Sequence, residues 1–251
     1  MMYTVSKDFK LFLALFLLAI SVVFVSCKKD EEEEEEEETS AQADSPTPSF
    51  SAGNGALVAI KSQSTTQSPI GPVETTIGLG VAVFYSNGNN GAFLDAGSVK
   101  VNSTALSKQS NSSYVFQPGV TNTTGIDYNS SVVWSVAGAS SVSAFSHTTS
   151  IGFPSISAIT SGDKVTKSSG YTLTASGISG ADSIIFQVGS AVKTVAGSSS
   201  SCTFSASELS AEPTGTSIAQ VAAYKLEEAS YNGKTYHFVN ETVVSKTVTI
   251  E

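Results

Sequence analysis

An all-β fold is predicted by three features of this 251-residue sequence. Ser and Thr together supply 69 residues and Gly another 20; these are poor helix formers, while Thr and Val suit strands. Apolar residues come in short β-branched or aromatic runs punctuated by Gly, Asn and Ser, the pattern of strands and turns. No apolar stripe with a 3.6-residue period runs through residues 51–251.

In the first half, strands are expected at Ala56–Ser62, Thr75–Tyr85, Gly97–Leu106, Ser113–Gln117 and Ser131–Ala137. Asn87-Gly88 and Asn90-Gly91 suit a turn with positive φ. Val132, Trp134 and Val136 alternate with smaller neighbours, which places the one Trp on the bulkier face of its strand as a core anchor. A break falls at Ile151-Gly152-Phe153-Pro154. The second half gives strands at Ile156–Thr160, Tyr171–Ser176, Ser183–Val188, Ala191–Val195, Cys202–Ala206, Ser217–Lys225, Lys234–Val239 and Thr242–Ile250, with a short helical turn over Ala206–Leu209. Tyr231-Asn232-Gly233-Lys234 is the best hairpin signal, two strands joined by a two-residue loop of the favoured type. In the last run Val244, Val248 and Ile250 share one face and Thr247 and Thr249 the other. Residues 51–251 are long enough for two ordinary domains. The simplest architecture is two tandem immunoglobulin-like antiparallel β-sandwich domains, residues 51–152 and 153–251, following a disordered acidic linker. A Cys-Trp-Cys signature is absent, and no fixed-period repeat relates the halves.

The formal net charge of −9 is concentrated in a short tail. Residues 1–26 carry +1, residues 27–50 carry −8, and −2 remains for residues 51–251. Lys7 and Lys10 precede an apolar stretch, Leu11–Val25, of about 22 Å as a helix, short of the ~30 Å hydrocarbon core. It reads as a signal peptide, residues 1–26. Phe24-Val25-Ser26-Cys27 resembles the lipobox of bacterial lipoproteins, which implies that Cys27 becomes an acylated N-terminus anchored in the membrane by several chains. Lys28-Lys29-Asp30, followed by eight Glu beginning Glu31-Glu32, resembles the export signal of surface-exposed Bacteroidetes lipoproteins. The resemblance implies an outer-membrane protein displayed at the cell surface. Without it, the same run reads as a solvated spacer extended by like-charge repulsion. Cys27 and Cys202 are the two cysteines, so acylation leaves no disulfide and stability must come from burial.

Searching for chemistry mostly returns absences. All 13 basic residues are Lys, and they are unclustered, which argues against nucleic acid. His147 and His237 lack a His, Cys or carboxylate at metal-ligand spacing; His147 is expected in a loop and His237 at a half-exposed strand position. No catalytic residue, metal site or cofactor is expected. Ser161-x-x-Lys164 and Ser190-x-x-Lys193 match a penicillin-binding pattern at the chance frequency set by 44 Ser residues. Glu227-Glu228 is the only adjacent carboxylate pair in the body. Asp182-Ser183-Ile184 resembles the O-glycosylation site of Bacteroidetes envelope proteins, which implies modification of Ser183; the plainer reading is a strand entrance. The leading function is therefore a non-enzymatic, lipid-anchored surface protein whose β-domains bind or scaffold a glycan or an envelope protein. Tyr85, Tyr114, Tyr128, Tyr224, Tyr231 and Tyr236 are the candidate sugar platforms. A fimbrial or adhesin subunit and a hydrolase with an unrecognised active site are the alternatives.

Overall fold

The computed structural model describes residues 53–68, 71–88, 91–116, 118–119, 122–129 and 131–251. Cys27, Lys28, Lys29, Asp30, Glu31 and Glu32, with the expected signal and linker, lie outside the described residues. The strands of the first half are β1 (Gly55–Ser68), β2 (Gly71–Phe84), β3 (Val99–Val101), β4 (Thr104–Ala105), β5 (Ser107–Lys108), β6 (Tyr114–Phe116), β7 (Val133–Val136) and β8 (Phe145–Thr148). Those of the second half are β9 (Ala158–Ile159), β10 (Lys164–Val165), β11 (Tyr171–Ser176), β12 (Ser183–Val188), β13 (Ala191–Ala196), β14 (Ser201–Phe204), β15 (Gly215–Tyr231) and β16 (Lys234–Ile250). One turn of helix, α1 (Ala206–Leu209), interrupts them.

The chain is all-β. A nine-stranded sheet runs in the order β13-β12-β15-β16-β1-β2-β6-β5, with β10 also on β16. Its spine is the hairpin of β15 and β16, whose 17-residue strands pair from Gly215–Ile250 to Tyr231–Lys234. This sheet takes strands from both sides of residue 152. β1 lies between β2, to which it is antiparallel, and β16, to which it is parallel. Each smaller sheet belongs to one half: β4-β3-β7-β8 to the first, β14-β11-β9 to the second.

Side chains alternate across a pleated strand, so the large sheet has two faces. On one, Leu57, Phe84, Tyr236 and Phe238 meet Val99, Val101, Trp134 and Phe145 of the four-stranded sheet. On the same face further along the spine, Ile184, Phe186, Val221, Val244 and Val248 meet Leu173 and Phe204 of the three-stranded sheet. Between the two cores, residues 151–154 cross the spine: Asn240 Nδ2 donates to Ile151 O and Thr242 Oγ1 to Pro154 O. A third core, on the opposite face, has all its members on the large sheet or just beyond β2.

Local chemistry explains several elements. The β15–β16 turn places Asn232 and Gly233 at φ 50° and 74°, the doubly positive geometry that an Asn-Gly loop favours. α1 starts with a capping box in which Ser205 and Glu208 satisfy each other's backbone N–H groups. Trp134 is fully buried, as its alternation predicts. Val244, Val248 and Ile250 are likewise buried while Thr247 and Thr249 are exposed.

Two expectations change, and one contact is new. The single strand over Gly97–Leu106 is a tight hairpin, because Asn102 and Ser103 both take positive φ. The two final runs fuse into β16, since the polar interruption at Asn240 is satisfied by Ile151 O. Gly78 and Gly125 form a parallel bridge so close that a Cβ on either would strike the other's backbone neighbourhood, which seats Ile126 and Tyr128 in the first core.

Candidate functional site

The tip of the spine hairpin carries two histidine–carboxylate pairs. Glu227 and Glu228 are adjacent on β15, so they point to opposite faces. Across the ladder, Glu228 sits opposite His237 and Glu227 opposite Phe238.

On the covered face, Glu227 meets β8. Its Oε1 lies 2.9 Å from His147 Nε2, but not in line for a directed hydrogen bond. Its Oε2 accepts from both the backbone N–H and the hydroxyl of Ser150 at 2.7 Å. Burial raises the Glu227 pKa, but the two Ser150 donors and His147 outweigh it and leave the carboxyl below its ordinary value. His147 Nδ1 is 2.8 Å from the Tyr231 hydroxyl, and its ring stacks on Phe238 with centroids 3.8 Å apart. Tyr231 in turn stacks on Phe145 at 4.5 Å and 10°. The His147 and Glu227 side chains retain 10% and 18% exposure, which leaves little room for a substrate beside them.

The order of contacts defines what this cluster can do. Ser150 addresses the carboxylate, and Ser146 Oγ donates to Trp134 O, so neither hydroxyl addresses the imidazole as a nucleophilic triad requires. The group clamps β8 and residue 150 onto the hairpin tip. On the other face, His237 Nδ1 is 3.3 Å from Glu228 Oε1. His237 is fully buried, not half-exposed as expected, because Gly53 packs against its ring where a Cβ would not fit. His147 lies in β8, not in a loop. An adjacent Glu pair and two histidines are present in the sequence, and alternation alone divides the Glu pair between faces. Nothing in the sequence, however, brings β8 to the hairpin.

Ser183 opens β12 between β13 and β15, half-buried. Asp182 beside it accepts from the Leu226 N–H at 2.8 Å. Of the candidate platforms, Tyr85, Tyr114, Tyr128, Tyr224 and Tyr236 are buried, and Tyr231 is half-buried in the clamp, so these rings serve packing. Tyr114 and Tyr128 spend their hydroxyls internally, on Asp95 and Leu79 O, and burial pushes the Tyr114 pKa up to about 12. Cys202 is a half-buried free thiol. Among the described residues, no group of three or more His, Cys, Asp or Glu is placed to hold a metal ion, and no helix is long and apolar enough to cross a membrane. In comparisons with known proteins, the chain matches no family model, no curated protein and no solved structure.

Proposed function

We propose that the chain is a lipid-anchored lipoprotein of the outer membrane, displayed at the cell surface, whose β-sheet body serves as a non-enzymatic binding or scaffolding module. The observation that carries this reading is Cys27, preceded by the apolar stretch Leu11–Val25 and followed by Lys28, Lys29, Asp30 and the Glu run from Glu31 and Glu32. Acylation of Cys27 supplies the anchor, the acidic segment supplies routing and reach, and the body begins at β1. The clamp order of the Glu227–His147 cluster supports scaffolding over hydrolysis. The two layer pairs further support two immunoglobulin-like sandwiches in tandem, fused through β15 and β16. A glycan or an envelope protein is the partner class, and Ser183 is the candidate for O-glycosylation.

Protease treatment of intact cells tests the display. The body is expected to be digested without lysis, and Cys27→Ser is expected to abolish both fatty-acid labelling and membrane retention. A body protected until the envelope is broken would overturn surface exposure. Affinity electrophoresis against polysaccharides separates the partner classes, since retardation by none of them removes the glycan variant.

A further inference from the structure

β8 is an edge strand of its sheet. β7 pairs with it by the ladder, and the hairpin tip reaches it through side chains. The Tyr231 hydroxyl lies 2.8 Å from His147 Nδ1 and 3.2 Å from Ser146 O, while His147 Nε2 lies 2.9 Å from Glu227 Oε1. These contacts compete for few protons.

A phenol carries one proton, and a carbonyl carries none. When Tyr231 gives its proton to Ser146 O, its oxygen can only accept from the imidazole, so His147 Nδ1 has to bring a proton of its own. When Tyr231 gives its proton to Nδ1, that nitrogen has to be bare and Ser146 O loses this donor. The second ring nitrogen is constrained from the other side. A bare Nε2 would set its lone pair 2.9 Å from a carboxylate oxygen, whereas an Nε2–H presents its positive end to the charge even when out of line. Burial opposes the ionisation of Glu227, but the two Ser150 donors and His147 outweigh it and hold the carboxyl below its ordinary value. Burial, with Glu227 nearby, raises the Tyr231 pKa, so the phenol keeps its proton. Nε2 therefore carries a hydrogen in both arrangements, and Nδ1 is the atom that gains and loses one.

We propose that His147 works a proton latch at the hairpin tip: a proton taken up at Nδ1 turns the Tyr231 hydroxyl from the imidazole to Ser146 O, and its release turns the hydroxyl back. In the charged state Nδ1–H donates to the Tyr231 oxygen, Tyr231 donates to Ser146 O, and the edge strand has one more hydrogen bond to the spine. In the neutral state the same hydroxyl donates to Nδ1 and the bond to β8 is given up. Imidazole is the side chain suited to such a change near neutral pH, and the 10% exposure of the His147 side chain leaves it able to exchange protons with solvent.

The other groups around the ring are already committed. Phe238 of β16 stacks on it and Trp134 of β7 lies opposite it in the ladder; neither titrates. Ser150 gives both its N–H and its hydroxyl to Glu227. Lys234, at the start of β16, donates its ammonium to Ser141 O, and Glu228 points to the opposite face of β15. The latch rests on the folded body alone. If that body is displayed at the cell surface, the pH it reads is the one outside the cell.

Nuclear magnetic resonance of the full chain tests the latch, with the histidine ring nitrogens labelled and the His147 signals assigned by their loss in His147→Gln. Between about pH 5 and pH 9, His147 is expected to pass from a ring protonated on both nitrogens to one protonated on Nε2 alone. The Ser146 carbonyl carbon is expected to shift with the same midpoint. Tyr231→Phe keeps a ring to stack on Phe145 and removes the hydroxyl: the histidine step should remain, and the share of the Ser146 shift that the hydroxyl causes should be lost. A neutral His147 with its proton on Nδ1 would overturn the proposal, and so would a Ser146 shift of equal size in the two chains. The tautomer is read in the parent, so the first outcome decides even where the variant fails to fold. Neither measurement involves cells, so this proposal and surface display fail separately.

Discussion

Replacing Glu241 with Gln removes a charge site while keeping shape and volume. Glu241 lies between Ile60 of β1 and Tyr224 of β15 on the face that lacks a described roof, and only 6% of it is exposed. Desolvation alone raises its pKa from the ordinary 4.5 to about 8. At about 1.4 kcal/mol per pH unit, that difference is worth on the order of 5 kcal/mol. In the unfolded chain the carboxyl ionises above about pH 4.5, while in the folded chain it keeps its proton until about pH 8. Between these values the folded state binds more protons, so stability falls as pH rises and levels off above the folded value. The Gln variant lacks this slope. Urea midpoints of the full chain at pH 4, 6, 7 and 9 are the assay; with a slope of about 3 kcal/mol per molar, the variant should lead by more than 1 M at pH 9 and match the parent at pH 4. Parallel curves for the two proteins would refute the reasoning, because they would mean that water reaches Glu241.

Three further outcomes follow from the packing. Trp134→Ala empties the centre of the first core and should cost about 3–5 kcal/mol in chemical denaturation; Trp134→Phe should cost much less, since the indole N–H has no hydrogen-bond partner among the described residues. Gly78→Ala drives a methyl into the Ile126 carbonyl, so it should lower stability by about 2 kcal/mol or more and release Tyr128 from Leu79 O, seen as faster amide exchange over residues 124–128. Glu227→Gln should weaken the clamp by about 1–2 kcal/mol. Because the Glu227 carboxyl is held below its ordinary value, the parent should lose that same increment as pH falls below about 4.5, and exchange at the Ser150 N–H should accelerate in step.

Local rules carried much of the fold, and long-range pairing carried the rest. β11 and β12 occupy the predicted residues, as do the Asn232-Gly233 turn and the helical turn over Ala206–Leu209, because each depends on alternation, turn geometry or a cap within a few residues. The Asn240-Glu241 dipeptide misleads: two adjacent polar residues after Val239 read as a loop. Their partners, Ile151 O for one and an apolar floor for the other, are distant in sequence. β8 was missed since Phe145-Ser146-His147-Thr148 has one apolar residue, and its strand character comes from pairing with β7. The clamp was legible as ingredients, two histidines and an adjacent Glu pair, but its assembly needs β8 to cross to the hairpin. The buried tyrosines show the same limit, for a ring suited to a sugar face is equally suited to a core.

The seat of β1 also sets an order of events. Its two neighbours are β2, made directly after it, and β16, at Lys234–Ile250. During synthesis, β1 must wait with one hydrogen-bonding edge unfilled until β16 arrives. Such late closure slows folding, since the entropy of the long intervening loop must be met before the ladder repays it. A chain cut short anywhere before β16 would leave β1 with that edge unpaired.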